Sequence, residues 1–257
     1  MHDYTYKSNL NDFKSIDLSD ISKLEMSNRS EIKYILPIAN LRQLLYNVAD
    51  EYDIVEVRGE KELSYHTIYF DTFDYNLYHN HHNGKANRYK VRMRSYAASG
   101  DSFLEVKKRT NKGRTQKIRR SIVNVHNFTD LHKSFIDSII PSLDKDLIRS
   151  IETSYRRITL ISFSLPERVT IDIDLRFSSI GSVYALPNVV IVEVKTDRRY
   201  GVSSPMTVAL RGMKIYPRAF SKYCMGMAYL YPQLKQNLFK SNKLYLKKIE
   251  HDTTITN

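Results

Sequence analysis

The sequence predicts an α+β fold in which antiparallel strands close into a tunnel and helices pack on the outside. Three observations carry this expectation. The first is the stretch 88–109, RYKVRMRSYAASGDSFLEVKKR, which reads as two strands joined by a short turn. Side chains of a strand alternate between its faces, so Arg88, Lys90, Arg92, Arg94 and Tyr96 share one face while Tyr89, Val91 and Met93 share the other. Beyond the turn, Phe103, Glu105, Lys107 and Arg109 line up against Leu104 and Val106. Taken alone, this pair reads as a solvated sheet face.

The second observation is recurrence. Strands begin near 29, 88, 103, 115, 153, 167 and 189, most with a charged face opposed to an apolar one: Ile32 and Tyr34, Val91 and Met93, Leu104 and Val106, Val169 with Ile171 and Ile173, Val190 and Val192. Such strands are satisfied by a barrel that turns its charges inward and covers its apolar side with helices. The third is composition. At 257 residues, 42% hydrophobic and 26% charged, the chain has enough apolar side chains for a core, and its formal charge of +12 calls for an anionic guest. A charged lumen is costly unless it is wet and holds such a guest.

The elements follow in order. Residues 1–26 form a polar extension with a short helix through Phe13, Ile16, Leu18 and Ile21. Residues 27–235 form the tunnel domain, and 236–257 a tail that frays from 240 onward. Arg29, Glu31 and Lys33 share a face of the first strand. Pro37 then opens an amphipathic helix over 37–50 through Ile38, Leu41, Leu44, Leu45 and Val48. LSYHTIYFDT, 63–72, is β-branched and aromatic and reads as a strand. The Tyr- and His-rich stretch that follows reads as a solvated loop closing at Asn83-Gly84. His79, His81 and His82 lack the spaced partners of a zinc site.

After the central pair, Asn111-Lys112-Gly113 turns into a strand over 115–125, with Lys117 and Arg119 on one face. Residues 128–150 read as a helix through Phe128, Leu131, Phe135 and Ile139, then Pro141 and a second short helix. Strands resume at 152–163, with Tyr155 and Arg157 together. On 167–177, Arg168, Thr170, Asp172 and Asp174 share a face, and on 188–196 Glu193 and Lys195 do. Helices follow Ser204-Pro205 and run from Ser221 to Leu230.

Arg29, Lys33, Lys90, Arg92, Arg94, Lys107, Lys117, Arg157, Arg168 and Lys195 are thereby placed as candidate anion-binding cations. Carboxylates lie among them: Glu31, Glu105, Glu193 and Asp172. Two readings stand side by side, salt bridges across the sheet and oxygen ligands for a divalent metal shared with phosphate. No specific nucleic acid is expected, because the charged faces carry few aromatics and no recognition motif is present. There is no P-loop, GxGxxG or trustworthy catalytic triad. The single cysteine, Cys224, rules out an internal disulfide framework and reads as a packed thiol in a cytoplasmic protein. The chain opens without an apolar leader, and no run reaches membrane-spanning length.

These residues resemble the vacuolar transporter chaperone (VTC) domain, the polyphosphate polymerase branch of the CYTH-like triphosphate tunnel metalloenzymes. The resemblance runs from Arg29 to about Leu230. It rests on Arg29-x-Glu31-x-Lys33-Tyr34, Tyr69-Phe-Asp-Thr72, Arg88-x-Lys90-x-Arg92-x-Arg94 and Phe103-Leu-Glu-Val-Lys107. Tyr155-Arg-Arg157, Arg168-x-Thr170-x-Asp172, Glu193-Val-Lys195 and Phe220-Ser-Lys-Tyr223 follow in the family's order. It implies eight strands and transfer of the terminal phosphoryl group of ATP to a growing inorganic polyphosphate.

By the same resemblance, Lys33, Arg92, Arg94, Lys107, Arg157, Arg168 and Lys222 are the lumenal substrate residues, with Lys117 a further match. Glu193 is the metal carboxylate for Mn²⁺ or Mg²⁺, with Glu31 and Glu105 in supporting roles. Hydrolase and cyclase members of the superfamily open with ExExK, and here the first acid is Arg29, which favours phosphate over metal at that point. A tunnel triphosphatase and a non-catalytic polyphosphate or nucleotide binder are the alternatives. Relatives that work beside membrane segments make a separate membrane subunit a conceivable partner.

Overall fold

In the computed structural model of the chain, residues 5–23, 29–140, 143, 145–199 and 203–252 are described. Eleven strands form one sheet. They are β1 (Ser15–Asp17), β2 (Arg29–Pro37), β3 (Asp53–Glu56), β4 (Leu63–Thr72), β5 (Arg88–Tyr96), β6 (Ser102–Arg109), β7 (Thr115–Ser121), β8 (Leu147–Ser162), β9 (Glu167–Ser179), β10 (Ser182–Leu186) and β11 (Val189–Asp197). The helices are α1 (Leu41–Val48), α2 (Asn76–His82), α3 (Asp130–Ile139), α4 (Pro205–Gly212), α5 (Lys222–Leu230) and α6 (Lys240–Asp252).

Eight strands make the wall in the order β2-β11-β9-β8-β4-β5-β6-β7, each pair antiparallel. This is the expected antiparallel tunnel wall, with one difference. Among the described residues, no hydrogen-bonded pairing joins β2 to β7, so the wall has a seam. The β2 edge is instead met by the segment before α5: Arg218 N–H donates to the Lys33 carbonyl at 2.7 Å, and Tyr34 bridges Pro217.

Register assigns the faces. Residues directly opposite in antiparallel strands project to the same side. Glu193 faces Lys33 and Thr170, Lys195 faces Glu31 and Arg168, Arg157 faces Asp172, and Arg92 faces Tyr69 and Glu105. These form the inner face. The outer face carries Tyr34, Leu36, Ile171, Val192 and Val194, buried under α1, α4 and the N-terminal segment. Around β4, β5 and β6 it carries Ile68, Phe70, Val91, Met93, Leu104 and Val106, under Leu77 of α2 and Ile136 of α3.

Not every helix lies outside. On the inner face Lys33 is followed by Ile35, Glu193 is preceded by Ile191, and Phe177 and Ile151 continue this apolar zone. α5 packs there. It starts at Ser221, whose hydroxyl accepts the Cys224 N–H at 3.3 Å. Cys224 is fully buried, the packed thiol expected. The lumen is therefore charged along part of its length and plugged by hydrocarbon at one end.

Several local expectations need correction. Residues 76–82 are helical, because both oxygens of buried Asp71 accept N–H groups from the first turn, Leu77 at 2.8 Å and Tyr78 at 2.9 Å, and leave no reason for a loop. Pro37 ends β2 at ψ 147° instead of opening the helix, and a 3₁₀ turn over Ile38–Asn40 leads into α1. Residues 147–150 are the start of β8, where a second short helix was expected after Pro141; residues 141, 142 and 144 lie outside the described ones. The extension is two 3₁₀ segments around β1, and it adds Tyr6, Leu10 and Phe13 to the core. Residues 1–4 and 24–28 lie outside the described residues.

Over Lys240–Asp252 the tail is a helix and not a frayed end, and residues 253–257 lie outside the described ones. α6 buries Leu246 and Ile249, Tyr245 donates to the Ile35 carbonyl at 3.3 Å, and Glu250 accepts from Asn188. Asp174 leaves the face of Asp172. It sits at φ 53° beside an irregularity in the β8–β9 register, and its carboxylate pairs with Arg156 on the outer side.

Candidate functional site

The lumen is built from alternate residues of the wall plus the first turn of α5. β2 and β11 contribute a chain of opposite charges. Lys33 Nζ lies 2.6 Å from Glu193 and also binds Glu31, while Lys195 binds Glu193. On β5, β6 and β7, Arg92 Nε donates to Glu105 Oε2 at 2.6 Å and Lys117 Nζ to Glu105 Oε1 at 2.8 Å. Glu105 is fully buried. On β8 and β9, Arg157 grips Asp172 through Nε at 2.5 Å and Nη2 at 2.8 Å, and Lys222 reaches the same carboxylate from α5.

Aromatic rings order the guanidinium groups. The Arg157 guanidinium lies 4.9 Å from the Tyr65 ring centre and 5.2 Å from that of Tyr155; Arg94 lies 5.6 and 6.0 Å from the same rings. Lys222 Nζ lies 4.4 Å from the Tyr155 ring centre. Stacking on a ring face holds an arginine in place without consuming its N–H donors. Arg94 spends one donor on Thr67 Oγ1 at 3.0 Å.

The electrostatics follow. Burial works against ionisation of Glu31, yet Lys33 and Lys195 prevail and hold its carboxyl at about 2. Burial likewise opposes ionisation of Glu105, and Arg92 with Lys117 brings it to about 2. Asp172 is pulled well below the carboxylate range by Arg157 and Lys222 against its burial. The Arg92 charge, then burial, then Arg94 push Lys107 down to about 6. Lys107 and Glu31 feel each other's charge although β6 and β2 stand near opposite ends of the strand order, so the wall curls round its charged face.

Lys33, Arg92, Arg94, Lys107, Lys117, Arg157, Lys195 and Lys222 thus gather on the inner face. Arg168 joins them in register with Lys195. Lys90 lies further along β5 and donates to Ser221 Oγ at 2.9 Å. Arg29 opens β2 opposite Asp197, and its side chain lies outside those described. Sequence reasoning missed the roles of Tyr65 as a platform and of Asp172 as the shared counter-ion of Arg157 and Lys222. Period two could have found Tyr65, which alternates with Thr67 and Tyr69. Nothing local in the sequence links Asp172 to Lys222, 50 residues away.

The carboxylates differ in their fitness for a metal. Glu31 and Glu193 converge on one ammonium, that of Lys33, so their oxygens already surround a cation position. Two carboxylates suit a hard divalent ion that completes its shell with water and phosphate oxygens. Glu105 differs in being fully buried, with Arg92 and Lys117 on its two oxygens inside the wall. Among the described residues no group of three or more metal-type side chains gathers, which includes the histidines of α2. His82 is buried and its Nε2 accepts the Leu238 N–H at 3.3 Å.

Fold and lumen together define a protein with an antiparallel β-wall curled round a face lined by cations and their carboxylate partners. The chain belongs to the VTC domain family, which matches residues 28–231. No curated protein matches it. Among solved structures it is similar to a candidate adenylate cyclase from Vibrio parahaemolyticus (12% identity, 79% of this chain and 99% of that one, TM-score 0.47). It is also similar to a candidate adenylyl cyclase from Hippeastrum described as having a dominant triphosphatase activity (15% identity, 77% and 94%, TM-score 0.48). A third is the PH1819 protein of Pyrococcus horikoshii OT3 (11% identity, 78% and 99%, TM-score 0.46). These likenesses are distant, and the family assignment rests on the VTC match. Among the described residues, no helix is long and apolar enough to cross a membrane.

Proposed function

We propose that the protein is a polyphosphate polymerase that moves the γ-phosphoryl group of ATP onto the end of an inorganic polyphosphate held in the lumen. The observation that carries this reading is the state of the lumenal acids. Glu31, Glu105 and Asp172 are each held ionised by basic neighbours, and Glu193 is flanked by Lys33 and Lys195. A hydrolase must position and deprotonate water. A terminal phosphate oxygen is already ionised near neutral pH and needs no base. The lumen therefore suits phosphate as acceptor better than water.

The contribution of the chain is alignment and charge neutralisation, which is most of what phosphoryl transfer requires. Lys33, Arg92, Arg94, Lys107, Arg157, Arg168 and Lys222 bind the phosphates, with Arg29, Lys90, Lys117 and Lys195 extending the cationic lining. The tyrosines under Arg94 and Arg157 keep those guanidiniums aimed while their donors turn to phosphate. Glu193, with Glu31, would hold Mn²⁺ or Mg²⁺, which supplies further neutralisation of the phosphate oxygens when bound. Glu105 takes the structural role of fixing Arg92.

Incubation of the purified protein with ATP and Mn²⁺, with products resolved by size, tests the reading. Chains longer than triphosphate are the expected outcome. Orthophosphate alone would place the protein with the hydrolases, and unchanged ATP with measurable binding would make it a binder. Glu193→Ala is expected to abolish metal-dependent turnover while leaving the fold intact by circular dichroism. Retained turnover would remove Glu193 from the metal site.

A further inference from the structure

Outside the lumen, a groove of about 530 Å³ opens between α6, β10 and the last turn of α5. Small-molecule sites are typically about 300–1,000 Å³. Its walls are mainly apolar, with Tyr184, Tyr229 and Leu244 among them. Tyr184 of β10 is half-buried and stacks on Tyr229 of α5, ring centres 4.0 Å apart and planes 13° from parallel. Phe177 backs Tyr229 in turn, its ring centre 6.3 Å away. Tyr184 meets no other ring and no cation among the described residues, and it lines the groove.

The cations of the groove come from one face of α6. Lys240, Lys243 and Lys247 stand three and four residues apart, so they are neighbours on the helix surface, where like charges repel. None of the three forms an ion pair among the described residues. Lys243 is half-buried, and that burial presses its amine below its ordinary value. Its Nζ donates to the Ala228 carbonyl at 3.1 Å and to Gln236 Oε1 at 2.6 Å, and lies 5.1 Å from the Tyr229 ring centre. An ammonium has three donors, so one remains. Glu250 also lines the groove, and its carboxylate accepts the Asn188 N–H and an Nδ2–H of the same residue, both at 3.1 Å. A lysine face of this kind beside an aromatic wall suits a ligand that joins negative charge to a flat apolar ring. Nucleotides have that composition: the phosphate is the anion, and every base has a π-face that stacks on an aromatic side chain.

We infer that this groove is a nucleotide site separate from the lumen, with the base on Tyr184 and the phosphate held by the lysine face of α6. The inference goes beyond phosphoryl transfer and does not rest on it. The bound nucleotide stays outside the wall and away from Lys33, Arg92 and Arg157.

Calorimetric titration of the metal-free protein with AMP, in the presence of saturating tripolyphosphate, tests it. It is run on the wild type, on the double variant Lys240→Gln, Lys247→Gln and on Tyr184→Ala. Lys240 and Lys247 are exposed, so the fold tolerates their change. AMP is expected to bind the wild type and to lose about tenfold or more in affinity in each variant, as the loss of a charge-assisted contact or of a base stack produces. Adenosine and ribose 5-phosphate, which each lack one half of the ligand, should bind the wild type at least about tenfold more weakly than AMP. Tripolyphosphate affinity, measured without AMP at about 0.15 M salt, should stay within about twofold in both variants. AMP that fails to bind the wild type, or that binds both variants unchanged, would overturn the site. Equal affinity for AMP and ribose 5-phosphate would overturn its assignment to nucleotides. Failure to make polymer from ATP, with AMP binding intact, would count against the polymerase reading alone.

Discussion

Lys107 is a residue whose surroundings depart far from those of a free side chain. Arg92 and Arg94 stand on the strand beside it, and half-burial adds to their effect, so the amine titrates at about 6 where its ordinary value is 10.5. Between those limits the unfolded chain carries the proton and the folded chain does not. Stability from this group is thus least below pH 6 and rises with pH toward 10.5. An incoming phosphate reverses the balance, because a nearby anion favours the ammonium. Binding of tripolyphosphate between about pH 7 and 9 is expected to take up a proton at Lys107. Calorimetry in buffers of different ionisation heat reads this directly: Lys107→Gln should take up fewer protons than the wild type, and identical uptake would refute the assignment. At this scale the lumenal cations were legible in the sequence, since alternation alone puts Lys33, Arg92, Arg94 and Lys107 on charged faces. Their partners were less legible. Glu105 has the spacing of a ligand but is sealed between Arg92 and Lys117, and only register shows that.

Among the elements, α5 decides where the lumen stops. Gly226 sits where a Cβ would come within 2.5 Å of Ile151 Cδ1 and 2.7 Å of Phe177 Cδ1, both in buried side chains. Alanine in a helix gains about 1 kcal/mol over glycine, whereas overpacking of a closed core costs about 1–3 kcal/mol. The clash wins, because neither neighbour has room to yield. Gly226→Ala is expected to lower the denaturant midpoint and, by lifting α5 off the sheet, to weaken tripolyphosphate binding through Lys222. An unchanged midpoint with unchanged affinity would show that α5 is not wedged as described. Strands were the readable elements. Leu63–Thr72 stands where its β-branched and aromatic run put it, and Arg88–Tyr96 and Ser102–Arg109 hold the anticipated faces. Helices that rely on distant partners were not readable. α2 owes its first turn to Asp71, and Tyr223 of α5 also donates to that carboxylate. In α6 lysines mask the spacing of Leu246 and Ile249, which find burial only against the tunnel.

At the scale of the whole molecule the formal charge of +12 gives the protein a long-range attraction for anions. Raising salt from about 0.05 to 0.5 M shortens the screening length severalfold. Tripolyphosphate association is therefore expected to slow markedly over that range in stopped-flow measurements, while its dissociation changes less. A salt-independent association rate would mean that the surface charge plays no part in capture. The seam between β2 and β7 has a consequence of a different kind. A wall hooped all round by backbone hydrogen bonds keeps one girth whatever it contains. Here the hoop is interrupted, and the proline-containing strap at Pro217–Arg218 takes the place of a neighbouring strand along β2. The bore is consequently bounded like a cuff rather than a ring, with margins at β2 and β7 that no backbone hydrogen bond joins among the described residues.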